Sequence, residues 1–292
     1  HFVVHVQRGG IEHRERFDAV AVCNGHYSEP RLPALPGLER FGGRVLHSHA
    51  YREPRGFSGQ RVALLGAGPS GLDLAHELAA VADRVILCAR DLPRADGLGP
   101  WGNLDQRPAI VALSPGGLAL GDGTAERGVD VLVLCTGYRY AFPFLDAGVL
   151  DDLPDRVFPL YLDLVAARAP TLAFVGLPLQ VVPFPLFEHQ ARLWARVLAG
   201  RASLPDRATQ LAVAHHREAR LAAAGVAPRH RLRYREAQFR YGAALAALAG
   251  DRPPPPGRAR LYAAVGRARR LDPWGFRDAA LPTLAQLDDP AR

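Results

Sequence analysis

The chain has 292 residues, enough for one large domain or two ordinary ones, and its apolar and charged shares of 48% and 22% are those of a globular protein. No apolar run approaches the roughly 20 residues that a membrane helix needs, and the opening His1-Phe2-Val3-Val4-His5 resembles no secretory signal. The expectation is a cytoplasmic protein with no membrane partner. The formal charge of +7 rests on arginine alone, without lysine, scattered rather than interleaved with aromatics; this argues against nucleic acid and suits an anionic dinucleotide.

Phe2–Val6 reads as a strand, Arg8-Gly9-Gly10 as a turn, and residues 11–17 as an exposed returning strand. Ala19-Val20-Ala21-Val22-Cys23 is a continuous apolar run, the pattern of a strand buried on both faces, and it stops at Asn24-Gly25, with Asn24 a turn residue. A stiff connector with Pro30, Pro33 and Pro36 follows. Arg61–Leu65 is then a short buried strand, Leu72–Ala82 a helix with Leu72, Ala75, Leu78 and Ala79 on one face, and Val85–Cys88 the next strand. Ile110–Leu113 and Val129–Cys135 continue the series around a Gly-Asp-Gly turn at 121–123. Strands alternating with helix predict a parallel, doubly wound α/β sheet. Thr171–Gly176 is one more buried strand and Phe187–Leu198 an amphipathic helix. From Pro205 the chain is Ala/Arg-rich and helical, broken at Pro253–Pro256. The last stretch, with Arg258, Arg260, Arg267, Arg269 and Arg270, reads as a solvated helix or tail.

Cys23, Cys88 and Cys135 each end an apolar run and form no C-x-x-C pair, so all three are expected to be buried reduced thiols; no cluster calls for a metal. The sequence contains no methionine and opens within a strand-like run, which points to part of a longer chain.

Gly66-Ala67-Gly68-Pro69-Ser70-Gly71 lies between a strand and a helix, the context that gives G-x-G-x-x-G its meaning. Gly66 permits the tight turn, Gly68 lets backbone approach a pyrophosphate, and Gly71 lets helix and strand pack closely, with phosphate meeting the helix N-terminus at Pro69 and Ser70. The bland reading is a glycine-rich turn with no ligand. The following strand ends Cys88-Ala89-Arg90, where NAD sites place an acid; a guanidinium there suits the 2′-phosphate of NADP. Asp91 beside it leaves NAD open, and a plain surface charge is the alternative role for Arg90.

Phe41, Gly43, His47 and Tyr51 stand in the register F-x-G-x-x-x-H-x-x-x-[YF] just upstream of the glycine motif. The sequence here resembles the flavin-containing monooxygenases, and Tyr51-Arg52 resembles their heteroatom-oxidising branch rather than the Baeyer–Villiger branch, which carries Trp. Three further segments are similar to that family: Val22–Tyr27 followed by Pro30; Leu134-Cys135-Thr136-Gly137-Tyr138 followed by Phe142-Pro143-Phe144-Leu145, with Cys135 where the family has Ala; and Gly176–Pro178 through Pro183-Phe184 to Glu188–Arg192. The resemblance runs to about residue 205 and thins beyond it.

That resemblance implies residues 1–35 as the end of an incomplete FAD-binding domain, 36–148 as a Rossmann-like NADP-binding domain, 149–204 as the return to the FAD-binding domain, and 205–292 as a helical extension. It implies FAD and NADP as cofactors, molecular oxygen and a soft nitrogen- or sulfur-bearing small molecule as substrates, and a flavin-phosphate segment ahead of residue 1. To the cofactor-binding residues Gly66, Gly68, Pro69, Ser70, Gly71 and Arg90 it adds Thr136 and Gly137, and also Gln180 and Pro183, which line the flavin in relatives. No catalytic residue is assigned. His47 and His49 are read as structural histidines in preference to ligands or bases. The alternative function is an NADP(H)-binding module without turnover. A third reading, a two-dinucleotide disulfide reductase, is disfavoured because the paired redox cysteines are lacking. Homo-oligomerisation is left open.

Overall fold

The computed structural model describes residues 1–153 and 155–288. They form two compact units: one from Tyr27–Arg139 and Arg269–Ala279, the other from His1–His26, Tyr140–Ala268 and the residues from Ala280 on.

In the first unit, strands Arg44–His47, Val131–Leu134, Arg61–Leu65, Arg84–Cys88 and Leu104–Arg107 lie side by side in that order and run parallel; Ala95–Leu98 closes the edge antiparallel. The strands are apolar throughout because both faces are covered. Val62, Leu64, Val85, Leu87, Val131 and Val133 point to the face packed by helix α1 (Pro69–Ala79), which inserts Leu74, Ala75, Leu78 and Ala79. The alternate residues Ala63, Ile86, Leu132 and Leu134 meet Ile110, Leu113, Leu118 and Leu120 of a three-stranded meander, Ile110–Ser114, Gly117–Leu120 and Ala125–Arg127. Each fully buried Leu or Val in these layers contributes about 1.5–3 kcal/mol. Ile110–Ser114 therefore does not join the parallel series. Ser114 pairs with Gly117 across a two-residue Pro115-Gly116 turn, and so short a connection makes only antiparallel neighbours.

Three strands of this sheet, Arg44–His47, Ala95–Leu98 and Leu104–Arg107, escape sequence reading. Leu104-Asp105-Gln106-Arg107 looks like a loop, yet Asp105 and Arg107 are buried. Arg107 donates from Nε to Glu126 at 2.5 Å, pairs with Asp96 at 2.6 Å and reaches Asp105 at 3.4 Å, while Arg84 pairs with Asp105 from the next strand. Charge has replaced apolar packing on this part of the sheet, and only mutual pairing makes that tolerable.

The end of the chain is not wholly a solvated tail. Arg258, Arg260, Arg267, Arg269 and Arg270 do lie on one helix, Gly257–Leu271. Beyond it, Trp274 stacks on His76 of α1 with ring centroids 3.8 Å apart, and Arg277 pairs with Asp73 of the same helix at 2.7 Å. A Cβ at Gly99 would stand 2.4 Å from the Trp274 ring, so the indole closes over bare backbone there. The aromatic payload of Trp274 holds the segment down.

In the second unit, Phe2–Arg8 and Ile11–Phe17 form a hairpin through Gly9 and Gly10, both at positive φ (56° and 83°), the geometry that suits the strands' twist. A four-stranded sheet follows the order Leu160–Tyr161, Val165–Ala166, Leu172–Phe174, Val20–Val22. Val20–Val22 is thus an edge strand; Val22 is buried, but Ala21 and Cys23 are exposed. This corrects two expectations, burial of that strand on both faces and burial of Cys23. The cause is pairing on one side only, with one face turned outward. Cys88 and Cys135 are buried as expected, and burial pushes the Cys88 thiol up to about 12.

Four helices pack on this unit: α2 (Pro183–Leu198), α3 (Arg207–Ala223), α4 (Ala237–Ala249) and α5 (Gly257–Leu271, its residues up to Ala268); a short α6 (Leu284–Asp288) follows. Helix α2 starts a turn earlier than its amphipathic pattern, since Pro183 and Pro185 sit in the first turn, where backbone N–H groups have no helical partner to lose. Asp206 caps α3 by accepting from the Thr209 amide at 2.8 Å. At the centre, buried Asp163 accepts from the Tyr234 hydroxyl and pairs with Arg217 at 2.6 Å, and Gln190 joins the Gly176 amide to the Tyr241 hydroxyl.

Candidate cofactor site

The glycine turn sits where strand Arg61–Leu65 ends and α1 begins. Its three glycines do different work. Gly66 has φ +115°, and a Cβ on it would meet the Cys135 carbonyl oxygen at 2.5 Å. At Gly71 a Cβ would lie 1.8 Å from the Gly66 carbonyl oxygen, so helix and turn touch backbone to backbone. Gly68 is the N-cap, exposed, with extended backbone and nothing within 4 Å of where its Cβ would be. Two glycines make the turn possible and the third leaves open space in front of it.

The surroundings are suited to an anion. The first turn of α1 carries no acidic residue and no side chain caps it, so its free amides and positive dipole end face outward unopposed. Pro69 fills the first position without wasting an N–H, and Ser70 is exposed beside it. The Gly66 amide donates to the Cys88 carbonyl at 2.8 Å, which brings the end of strand Arg84–Cys88, and with it Arg90, next to the turn. Arg90 is exposed and has no side-chain partner among the described residues; Asp91 is exposed beside it.

Thr136 and Gly137 follow the neighbouring strand at the same end of the sheet. Their polar groups are engaged locally. Thr136 donates its hydroxyl to the Arg31 carbonyl, and the Gly137 carbonyl accepts from the Arg31 amide at 2.9 Å and from His47 Nε2 at 3.0 Å. His47 also accepts the His49 amide on Nδ1 at 3.0 Å. Both His47 ring nitrogens are thus used to fasten the edge strand, the structural role expected for it. Gly66–Gly71, Arg90, Thr136 and Gly137 all fall in the first unit.

Gln180 and Pro183 fall in the second. Gln180 is held at φ +53°, strained for a residue with a side chain. Its carbonyl oxygen accepts from the Arg235 amide at 3.1 Å and its Oε1 from Arg235 Nε at 2.9 Å. Pro183 is exposed at the start of α2. Sequence reading missed Arg235 because no motif marks it; only the fold brings it to Gln180. Among the described residues no cluster of His, Cys, Asp and Glu is arranged to hold a metal.

Burial lowers the pKa of His26, His47, His76 and His189, burial being the largest cause in each. An imidazole that resists protonation when folded binds more protons unfolded. The stability it contributes is complete above the ordinary imidazole pKa and is lost as pH falls through the depressed folded values. Urea midpoints at pH 7.5 and 5.5 are expected to show lower stability at 5.5, and His47→Gln is expected to shrink that difference; an equal or higher midpoint at 5.5 contradicts this.

The parallel sheet with its glycine turn at the carboxyl ends of the strands places the first unit in the Rossmann-like α/β class. The chain belongs to the family described as flavin-binding monooxygenase-like, whose model matches residues 1–94 and 100–253. The match continues well past residue 205, where the resemblance in the sequence thins. The chain is 37% identical over 270 residues to flavin-containing monooxygenase FMO GS-OX-like 4 of Arabidopsis thaliana, covering 90% of this chain and 59% of that protein. For FMO GS-OX-like 3 of the same plant the figures are 36% over 272 residues, 92% and 60%. The chain thus spans about 60% of the length of these curated relatives. The solved structure of S-allyl-L-cysteine S-oxygenase from Allium sativum superposes with a TM-score of 0.87 at 36% identity, over 92% of this chain and 62% of that one. Tmm from Pelagibacter sp. strain HTCC7211 shares the fold at 22% identity, with a TM-score of 0.78. FAD and NADP(H) are the cofactors of this family. No helix among the described residues is long and apolar enough to cross a membrane.

Proposed function

We propose that this chain carries the NADP(H) site and part of the flavin site of a monooxygenase that uses NADPH, FAD and molecular oxygen to oxygenate a soft sulfur or nitrogen centre in a small molecule. The observation that carries the reading is the division of labour in the glycine turn: Gly66 and Gly71 closed by backbone, Gly68 open before an uncapped helix N-terminus. The residues present fit the dinucleotide. The Ser70 and Gly71 amides would donate to its pyrophosphate, and Arg90, exposed and unpaired beside the turn, would take a 2′-phosphate. Thr136 and Gly137 serve by fixing the neighbouring crossing. On the second unit, Gln180, gripped by Arg235 through Oε1, keeps its amide N–H₂ to donate to a flavin, with Pro183 beside it.

When bound, the nicotinamide supplies a hydride and the flavin supplies the oxygen-activating chemistry; the protein contributes binding, orientation and exclusion of water. A sulfur substrate is favoured over nitrogen by the Allium relative, an S-oxygenase 36% identical to this chain over the aligned 62% of its length.

Calorimetric titration tests the nucleotide site. NADPH is expected to bind more tightly than NADH, and Arg90→Ala to weaken NADPH about tenfold or more while leaving NADH unchanged, since a charge-assisted phosphate contact is lost. Equal loss for both nucleotides, or none for either, removes Arg90 from the role. Adding FAD and following its visible band on addition of NADPH tests the rest. Bleaching supports the oxygenase reading. NADPH binding without retained flavin supports a nucleotide-binding module instead.

A further inference from the structure

Helices α2, α4 and α5, with Leu284 of α6, enclose a recess of about 500 Å³ within the second unit. Its size is that of a small-molecule site. The walls are almost wholly apolar, from Val182, Pro185, Phe239, Leu261 and Val265 among others. Gly242 makes part of the room: a Cβ there would stand 3.3 Å from Pro254 Cγ and 3.6 Å from both His189 Cδ2 and Leu186 Cδ1. Polar groups in the lining are few. Gln238 is already engaged, accepting the Val182 amide at 2.6 Å and donating to the Arg235 carbonyl at 2.8 Å. Arg258 is different. It lines the recess half-buried, and among the described residues no carboxylate forms an ion pair with it; the nearby Glu188 is paired with Arg192 on its own helix. His189 lies beside it with both ring nitrogens buried and without a hydrogen-bond partner.

We propose that this recess binds a small apolar carboxylate, the hydrocarbon part among the prolines and aliphatic side chains and the carboxylate on Arg258. An apolar cavity of this size draws a hydrocarbon by area alone, and one unpaired guanidinium sets the charge and orientation of the ligand. This site shares Pro183 with the flavin side proposed above but makes no use of the glycine turn, of Arg90 or of Gln180, so octanoate binding is read separately from NADPH binding.

The test uses the full chain and octanoate, which carries neither sulfur nor nitrogen and so reports binding without oxygenation, with octanol as its uncharged counterpart. Calorimetry is expected to show one octanoate per chain, bound more tightly than octanol. Arg258→Gln is expected to weaken octanoate about tenfold while leaving octanol within about twofold. Val265→Trp, which puts an indole into the recess, is expected to weaken both. Since that variant risks misfolding, Arg258→Gln decides the matter with circular dichroism as the folding check. No octanoate binding, or binding that Arg258→Gln leaves unchanged, overturns the proposal. So does a concentration-dependent dimer in sedimentation that Arg258→Gln disperses, since the recess would then be covered by a second copy.

Discussion

Gly71→Ala is expected to cost about 3 kcal/mol of stability and to weaken NADPH binding about a hundredfold, whereas Gly68→Ala costs about 1 kcal/mol and loses at least about tenfold in affinity. The two changes add the same methyl group three residues apart. At Gly71 it would stand 1.8 Å from the Gly66 carbonyl oxygen, a backbone atom that cannot step aside without opening the turn. At Gly68 nothing lies within 4 Å and the backbone is one any residue adopts, so the folded chain accepts it at little more than the cost of Ala in place of Gly as an N-cap. What the Gly68 methyl occupies is the space a pyrophosphate would take. Urea unfolding and calorimetry on the same two proteins separate these effects. If Gly68→Ala binds NADPH as the parent does, the phosphate is not seated at this turn. If Gly71→Ala is as stable as the parent, the close packing described for it is wrong.

Arg107→Leu is expected to destabilise the first unit by about 3–5 kcal/mol, because it strands Glu126 and Asp105 in the interior with part of their countercharge gone. The double variant Arg107→Leu with Glu126→Leu is expected to recover a substantial part of that loss. Arg84 still pairs with Asp105 and reaches Glu126 only at 3.6 Å, so the second change removes the carboxylate most dependent on Arg107. A double-mutant cycle in urea reads the coupling directly, and additive losses would show that the two side chains do not share their burial energy.

The parts of this fold that announce themselves are those where one physical rule acts alone. Arg61–Leu65 and Arg84–Cys88 are apolar because helix and meander cover both their faces, and the turn between them is written in glycines. The hidden parts are those where two rules compete. Leu104–Arg107 is a central strand with a loop's composition, since its inward-facing Asp105 and Arg107 find partners on strands distant in sequence. Ala19–Cys23 shows the reverse: five apolar residues in a row predict burial, yet the strand is an edge and Ala21 and Cys23 are exposed. The same holds for the site. The tight turn at Gly66 and the close packing at Gly71 were legible, while the grip of Arg235 on Gln180 depends on two left-handed residues 55 positions apart. Nothing in local composition records it.

The strap formed by Trp274 and Arg277 has a bearing on how the molecule is made. The outer surface of α1 is completed by residues translated about two hundred positions after it. While the ribosome is still working through the intervening helices, His76 and the bare backbone at Gly99 await their cover. The first unit therefore reaches its finished form only when the residues up to Arg277 have emerged, and cutting out the stretch from Tyr27 to Arg139 for separate expression would leave that surface unsealed.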